Sequence, residues 1–484
     1  MQQESLKNKT IKGVGWSAAD AVLGQGVTFI VGLVLARLLS PDEYGLIGIC
    51  LIFTTVLNGI VDSGFSNALI RKKEVTEEDY NTMFMTNMAI SIVLYFLLFI
   101  GAPLVSGFFH RNELTDLIRV TGLILFFNAL SITQVTILTK KIDFKSKTRA
   151  SIASAILSGI LGIAMALYGF GVWALVCQIV SKQLFYTLSL WFINRWYPTF
   201  QFSLNSFNYM WGFGWKLLVS GLLNNIWNQL YQVVVGKFYS PSTLGQYTRS
   251  RQFASLFSDN FTTIIQRVSY PALANIQDNK ERLLLAYKKI IKMTMFITVL
   301  VMFTLGAISE PLIHWLLGEK WHKAALFLPL ICLNMSLYPL HAINLNMLQI
   351  QGRSDIFLKL EIIKKFVAIF PILIGIFMNI YCMLITSIIT GIISFFLNSY
   401  YTGKELKYTS LEQLKDVMPF YVIGSIIGIV IYFFKYFSLA NHWILLAQLS
   451  VAVCLFLTIC IKTKLSEFIE IKNIVFNFLK RISK

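Results

Sequence analysis

Apolar residues run in stretches of about 20 along almost the whole chain, separated by short polar segments, and about that length of helix is needed to cross 30 Å of hydrocarbon. The stretches fall near 14–38, 44–66, 81–107, 117–138, 150–168, 171–193, 212–236, 243–265, 288–316, 324–349, 357–378, 380–401, 417–435 and 440–461. The pattern predicts an all-α polytopic membrane protein with about 14 transmembrane helices. After the last span, Leu465, Phe468, Ile469, Val475, Phe478, Leu479 and Ile482 recur at helical spacing among lysines. That predicts an amphipathic helix lying on the inner membrane surface within 462–484.

The polar punctuation between spans repeats. "VLARLLSPDEYG" (Val34 to Gly45) is matched 200 residues on by "VVGKFYSPSTLGQY" (Val234 to Tyr247), and "GVGW" (Gly13 to Trp16) by "GFGW" (Gly212 to Trp215). "TKKIDFK" (Thr139 to Lys145) resembles "GRSDIFLK" (Gly352 to Lys359). Six spans separate Gly13 from Gly212, so both copies start on the same side of the membrane and form a parallel repeat. The predicted organisation is an N-terminal lobe over 1–200, a C-terminal lobe over 201–403, two added spans over 404–461, and the surface helix. Transporters built this way bind substrate at the repeat interface and alternate access as one repeat rocks against the other. Each Ser-Pro reads as an N-cap followed by a first-turn proline, hence a tight external corner, with Arg37 or Lys237 snorkelling at the end of the preceding span.

Composition agrees with a membrane location. The 484 residues are 56% hydrophobic and 14% charged, with mean hydropathy +0.65, whereas soluble proteins carry about 25% charged residues. A net charge of +18 would suggest a nucleic-acid partner in a soluble chain. Here the positive-inside rule accounts for it. With the N-terminus inside, 31 of the 42 Lys and Arg fall in inner segments and seven in outer turns, so both termini are expected in the cytoplasm. The six cysteines all lie in apolar spans without a CxxC, which supports neither a disulfide framework nor a zinc site. No cleavable signal peptide is expected, because the first apolar run is too long, contains Asp20 and leads into another span.

The segments "LARLLSPDEYGL", "DSGFSNALIRKKEVTEEDYNTMF" (Asp62 to Phe84), "KKIDFKSKTRASIAS" (Lys140 to Ser154) and "YGFGVWALV" (Tyr168 to Val176) resemble Wzx-type polysaccharide flippases. These belong to the multidrug/oligosaccharidyl-lipid/polysaccharide exporter superfamily, and the match is to the colanic-acid-type branch. The resemblance covers most of the first half and the second half more loosely. It implies a bacterial inner-membrane protein that moves an undecaprenyl-pyrophosphate-linked oligosaccharide from the cytoplasmic to the outer leaflet for O-antigen, capsule or exopolysaccharide synthesis. Polysaccharide polymerase and glycosyltransferases are the partners it implies.

Ionisable and amide groups inside spans are costly and mark functional paths or helix contacts. In span seven, Asn224, Asn225, Asn228, Gln229 and Gln232 share an arc of about 140° at 100° per residue, suited to sugar hydroxyls, to a hydrated cavity, or to gluing helices together. Lys216 in the same span and Arg249, Arg251 and Gln252 in span eight are candidates for the pyrophosphate, since guanidinium offers a bidentate fork to phosphate oxygens. Helical geometry puts Arg249 on one face with Gln246, Gln252 and Asp259, and Arg251 about 200° away. Asp20 in span one is the candidate ion-coupling carboxylate, for a proton or sodium, or a partner for a cavity Lys or Arg, or else a helix contact; Asp62 reads as a cap or an interface residue. In the repeat, Lys216 corresponds to Ser17 and Asp20 to Val219, so the charges are not duplicated. No cofactor, metal cluster, catalytic triad or phosphate-binding loop is expected, and the external connections are too short for a polymerase or ligase, so the chain reads as a non-enzyme. A drug/cation antiporter of the same superfamily, which would favour a carboxylate-dominated cavity, and a non-transporting scaffold of a polysaccharide assembly complex are the alternatives.

Overall fold

The computed structural model describes residues 23–437 and 439–473, and among these the chain is helical with no strand. Nine described segments, from Pro41–Arg71 to Asn441–Thr463, are long and apolar enough to cross a membrane. The other five expected spans coincide with helices that are shorter or more polar: Gln25–Leu38, Val172–Asn194, Leu204–Phe238, Pro241–Ala274 and Ser354–Phe377. The chain divides into two compact units, Met1–Gly245 and Gln246–Lys484.

The first unit contains α1 (Gln25–Leu38), α2 (Pro41–Val61), α3 (Phe65–Arg71), α4 (Glu77–Phe109), α5 (Leu114–Thr121), α6 (Leu123–Lys140), α7 (Phe144–Leu167), α8 (Val172–Asn194), α9 (Leu204–Phe238) and the start of α10 (Pro241–Ala274). The segments that carried the family resemblance are largely helix caps. Ser40 and Glu43 form a capping box ahead of α2, with Pro41 in its first turn. Asp62 accepts from the backbone N–H and hydroxyl of Ser66 at the start of α3. Thr76 and Asp79 box the start of α4, and Asp79, fully buried, also holds Lys72 at 2.6 Å. Asp143 caps α7 through Ser146. Lys140 closes the arrangement by donating to the carbonyls of Leu69 and Lys72.

Two close approaches set the packing of α9 and α10 within this unit. Gly214 of α9 lies against the turn before α3, where a Cβ would fall 2.5 Å from the Ser63 carbonyl oxygen, and Phe65 meets Phe207 and Trp211 edge-on. The two Ser-Pro corners face each other. A Cβ on Gly45 would lie 1.7 Å from the Pro241 carbonyl oxygen, and one on Gly245 2.0 Å from that of Pro41. The contact is reciprocal: each proline carbonyl rests on the glycine four residues into the other copy. Lys237 places its ammonium 4.4 Å from the Phe108 ring centroid and donates to the Phe108 carbonyl.

The second unit continues α10 and adds α11 (Lys280–Ala307), α12 (Ser309–Leu317), α13 (His322–Met335), α14 (Tyr338–Ile350), α15 (Ser354–Phe377), α16 (Ile380–Leu406), α17 (Ser410–Tyr432), α18 (Asn441–Thr463) and a last helix, 466–473. Its core gathers Tyr287, Met295 and Phe296 of α11 with Leu340, Phe395, Tyr408 and Phe420. The buried polar groups in that core satisfy one another: Tyr287 donates to Asn344 at 2.9 Å, and Asn344 to Gln413 at 3.1 Å.

The helix at 466–473 turns Leu465, Phe468 and Ile471 into this core, leaves Ile469 exposed, and is clasped by Lys289–Glu470 at 2.8 Å and Lys292–Glu467 at 3.0 Å. Val475, Phe478, Leu479 and Ile482 of the expected surface helix lie outside the described residues. Burial raises the Glu467 carboxyl, but hydrogen bonds and the Lys292 charge outweigh it and hold the group below its ordinary value. A carboxylate depressed in the folded state contributes stability above the unfolded value of about 4.3 and loses it as the pH falls through the folded one. The protection of 465–473 against hydrogen exchange, taken relative to the intrinsic exchange rate at each pH, should therefore hold from pH 7 towards the unfolded carboxylate value of about 4.3 and fall as the pH drops below it.

Candidate functional site

The expected polar residues sit on α9 and α10, one in each unit for most of their length, and each helix is described within its own unit. On α9, Lys216, Asn224 and Asn228 are exposed, while Asn225, Gln229 and Gln232 are half-buried. The helix thus presents two kinds of amide. Asn225 turns into the unit: its Nδ2 lies 2.6 Å from where a Cβ of Gly59 would be, so only glycine leaves room for it on α2. One residue away, Asn58 accepts from Asn128 of α6 at 2.9 Å. Asn225 therefore makes a helix contact, whereas Asn224, Asn228 and Lys216 point away from the unit's own core. An exposed amide-and-lysine face on a helix of span length is costly against lipid.

On α10 the two arginines differ. Arg249 is only 5% exposed and donates through Nη1 to Gln252 Oε1 at 2.5 Å, which brings together two of the expected site residues. Gln246 is structural: it donates to the Lys320 carbonyl at 2.7 Å and accepts from the Ala324 N–H at 2.8 Å, tying α10 to the start of α13. Arg251 is half-buried, and it is Arg251 whose charge reaches Asp259 and Tyr338. At 100° per residue both arginines lie about 80° from Asp259, on opposite sides of it, and Arg251 is the nearer along the helix axis.

Lys364, within the expected span at 357–378, lies inside α15 in contact with Glu361, whose charge also falls on Tyr338. The second unit thus holds Arg251, Asp259, Tyr338, Glu361 and Lys364 as one mixed-charge group spread over α10, α14 and α15. Asp20 and the segment Gly13–Trp16 lie outside the described residues. Among the described residues no three or more His, Cys, Asp or Glu side chains are grouped to hold a metal ion.

Comparison with known proteins places this arrangement. A family model described as "Polysaccharide biosynthesis protein" matches residues 34–326. The chain is 26% identical over 331 residues to the succinoglycan biosynthesis transport protein ExoT of Rhizobium meliloti, covering 68% of this chain and 67% of that one. It is 25% identical over 374 residues to the lipopolysaccharide biosynthesis protein WzxC of Escherichia coli, covering 77% and 76%. Among solved structures, the lipid II flippase MurJ in an inward closed conformation superposes with a TM-score of 0.70 at 17% identity, covering 93% of this chain and 97% of that one. An inward-facing multidrug resistance MATE family transporter gives 0.61 at 16% identity, covering 81% and 99%. The fold is that of this transporter group, and the relatives are transporters rather than enzymes.

Proposed function

The chain belongs to the polysaccharide biosynthesis protein family, and from that premise we propose that it flips an undecaprenyl-pyrophosphate-linked oligosaccharide repeat unit from the cytoplasmic to the outer leaflet of a bacterial inner membrane by alternating access. Both termini are cytoplasmic in this reading, and a polymerase and glycosyltransferases act before and after it. The observation that carries the proposal is the exposed face of α9, where Lys216, Asn224 and Asn228 stand clear of the unit's own core on a helix of span length. A sugar offers hydroxyls that amides pair with in both directions, and a pyrophosphate offers anionic oxygens for an ammonium or guanidinium. Lys216, Arg249 and Arg251 are the pyrophosphate candidates, Asn224, Asn228, Gln229, Gln232 and Gln252 the sugar candidates, with Asn225 left to its helix contact, and Asp20 the coupling carboxylate for a proton or sodium.

The test is transbilayer movement of lipid-linked oligosaccharide in proteoliposomes. A lost hydrogen bond to a charged partner is worth about 1.5–3 kcal/mol, so Lys216→Ala should slow flipping tenfold or more at unchanged expression, and Lys216→Arg should recover most of it. Flipping unchanged in Lys216→Ala removes Lys216 from the site. Export of small cations with no movement of the lipid-linked unit replaces the flippase reading with an antiporter. Unchanged transport by Asp20→Asn under imposed proton and sodium gradients removes Asp20 from coupling.

A further inference from the structure

The sequence scatters five histidines along the chain with no metal-binding spacing. The fold brings two of them together. His314 lies in the last turn of α12, Gly318 reverses the chain at φ +95°, a short 3-10 turn spans Glu319–Trp321, and His322 opens α13. His314 Nε2 and His322 Nδ1 stand 3.3 Å apart, with the rings inclined at 27°. Seven intervening residues hide this pair from any motif, because the approach is made by the glycine turn and not by helical periodicity.

We propose that His314 and His322 form a two-imidazole site for a borderline divalent cation, zinc above all, at the α12–α13 turn. Zinc–imidazole bonds of about 2.05 Å at a tetrahedral angle put the two ligand nitrogens about 3.3 Å apart, the separation seen here. Neutral imidazole suits zinc and its neighbours and not the oxygen-seeking magnesium. The other nitrogen of His314, Nδ1, faces the Glu319 carboxylate at 3.6 Å. That is beyond hydrogen-bond length, but the exposed Glu319 side chain has only a few tenths of an ångström to close, and once bonded to Nδ1–H it would hold the imidazole in the tautomer that presents Nε2 as the lone pair. His314 is only 8% exposed on its side chain and Glu319 80% exposed. One ligand is thus fixed by packing, and the remaining coordination positions open outward to water or an anionic oxygen. Two protein ligands are fewer than the three or four of a resident zinc site, and no third His, Cys, Asp or Glu joins them among the described residues, so the site is an exchangeable one completed by water or an anion. The turn lies in the segment that the lysine distribution assigns to the outer side.

The experiment is calorimetric titration of the tag-free full chain in detergent with Zn2+. One zinc per chain is expected, weakened tenfold or more in His314→Gln and in His322→Gln, and by up to about tenfold in Glu319→Gln. Excess Mg2+ should not compete. His322 is exposed, so His322→Gln retains the fold even if His314→Gln does not, and its result decides. No zinc bound, zinc bound equally by His322→Gln, or displacement by Mg2+ would each overturn the proposal.

Discussion

Gly45→Ala is expected to abolish accumulation of the folded protein, or to lower its melting temperature in detergent sharply, and Gly245→Ala to do nearly the same. The added methyl at position 45 would sit 1.7 Å from the Pro241 carbonyl oxygen, and that at 245 would sit 2.0 Å from the Pro41 oxygen. Real Cβ atoms do not approach another heavy atom below 3.0 Å, and the atoms in the way are backbone, which cannot rotate aside. Neither glycine has a positive φ, so the requirement is for space and not for conformation. Forcing such a contact costs about 3 kcal/mol or more, a large share of the roughly 5–15 kcal/mol that holds a folded domain together. Gly26→Ala is the control: nothing lies within 4 Å of its added methyl, and it should gain or lose less than about 1 kcal/mol. Equal melting temperatures for Gly45→Ala and Gly26→Ala would show that the two corners do not meet.

The second large effect is expected at Asp79→Ala. This carboxylate is fully buried and serves two partners, the Thr76 N–H at 2.9 Å as half of the capping box of α4, and the Lys72 ammonium at 2.6 Å. Losing a cap costs about 1 kcal/mol. Breaking a buried pair costs about 3–5 kcal/mol when the partner charge stays buried, but Lys72 is 28% exposed and can turn to water, so the total should be about 2–3 kcal/mol. Lys72→Ala keeps the cap and should cost less than half as much. Thermal unfolding of the two variants and their double mutant measures the coupling; additive losses would mean that Asp79 acts through the cap alone.

Both predictions concern segments that the sequence marks out, yet for different reasons. Ser40-Pro41 and Ser240-Pro241 are legible as corners because capping and proline geometry act within four residues. The span boundaries are legible because lipid demands about 20 apolar residues with every backbone group bonded inside the helix. The membrane class and the caps at Asp62, Thr76 and Asp143 follow from the same short-range chemistry. Family membership was also legible there, since those caps make up much of the recognisable pattern.

The candidate site was legible only as a set of polar residues on two helices. Their roles depend on what lies across from them, and that neighbour comes from far along the chain. Asn225 and Asn224 are adjacent and chemically identical, yet Gly59 receives the first and leaves the second exposed. The charge of Arg251 rather than Arg249 falls on Asp259, although the two arginines lie equally far from it around the helix, because Arg251 is two residues nearer along the axis. Lys364 falls inside the expected span at 357–378, but only the fold shows that Glu361 pairs with it and that the charge of Glu361 falls on Tyr338. Helix periodicity and membrane thickness act on each segment independently, so one chain of letters carries them in full. Which proline carbonyl rests on which glycine depends on packing between segments remote in the chain, and which two histidines face each other depends on a glycine turn that periodicity does not reveal, so only the folded molecule brings either pair close.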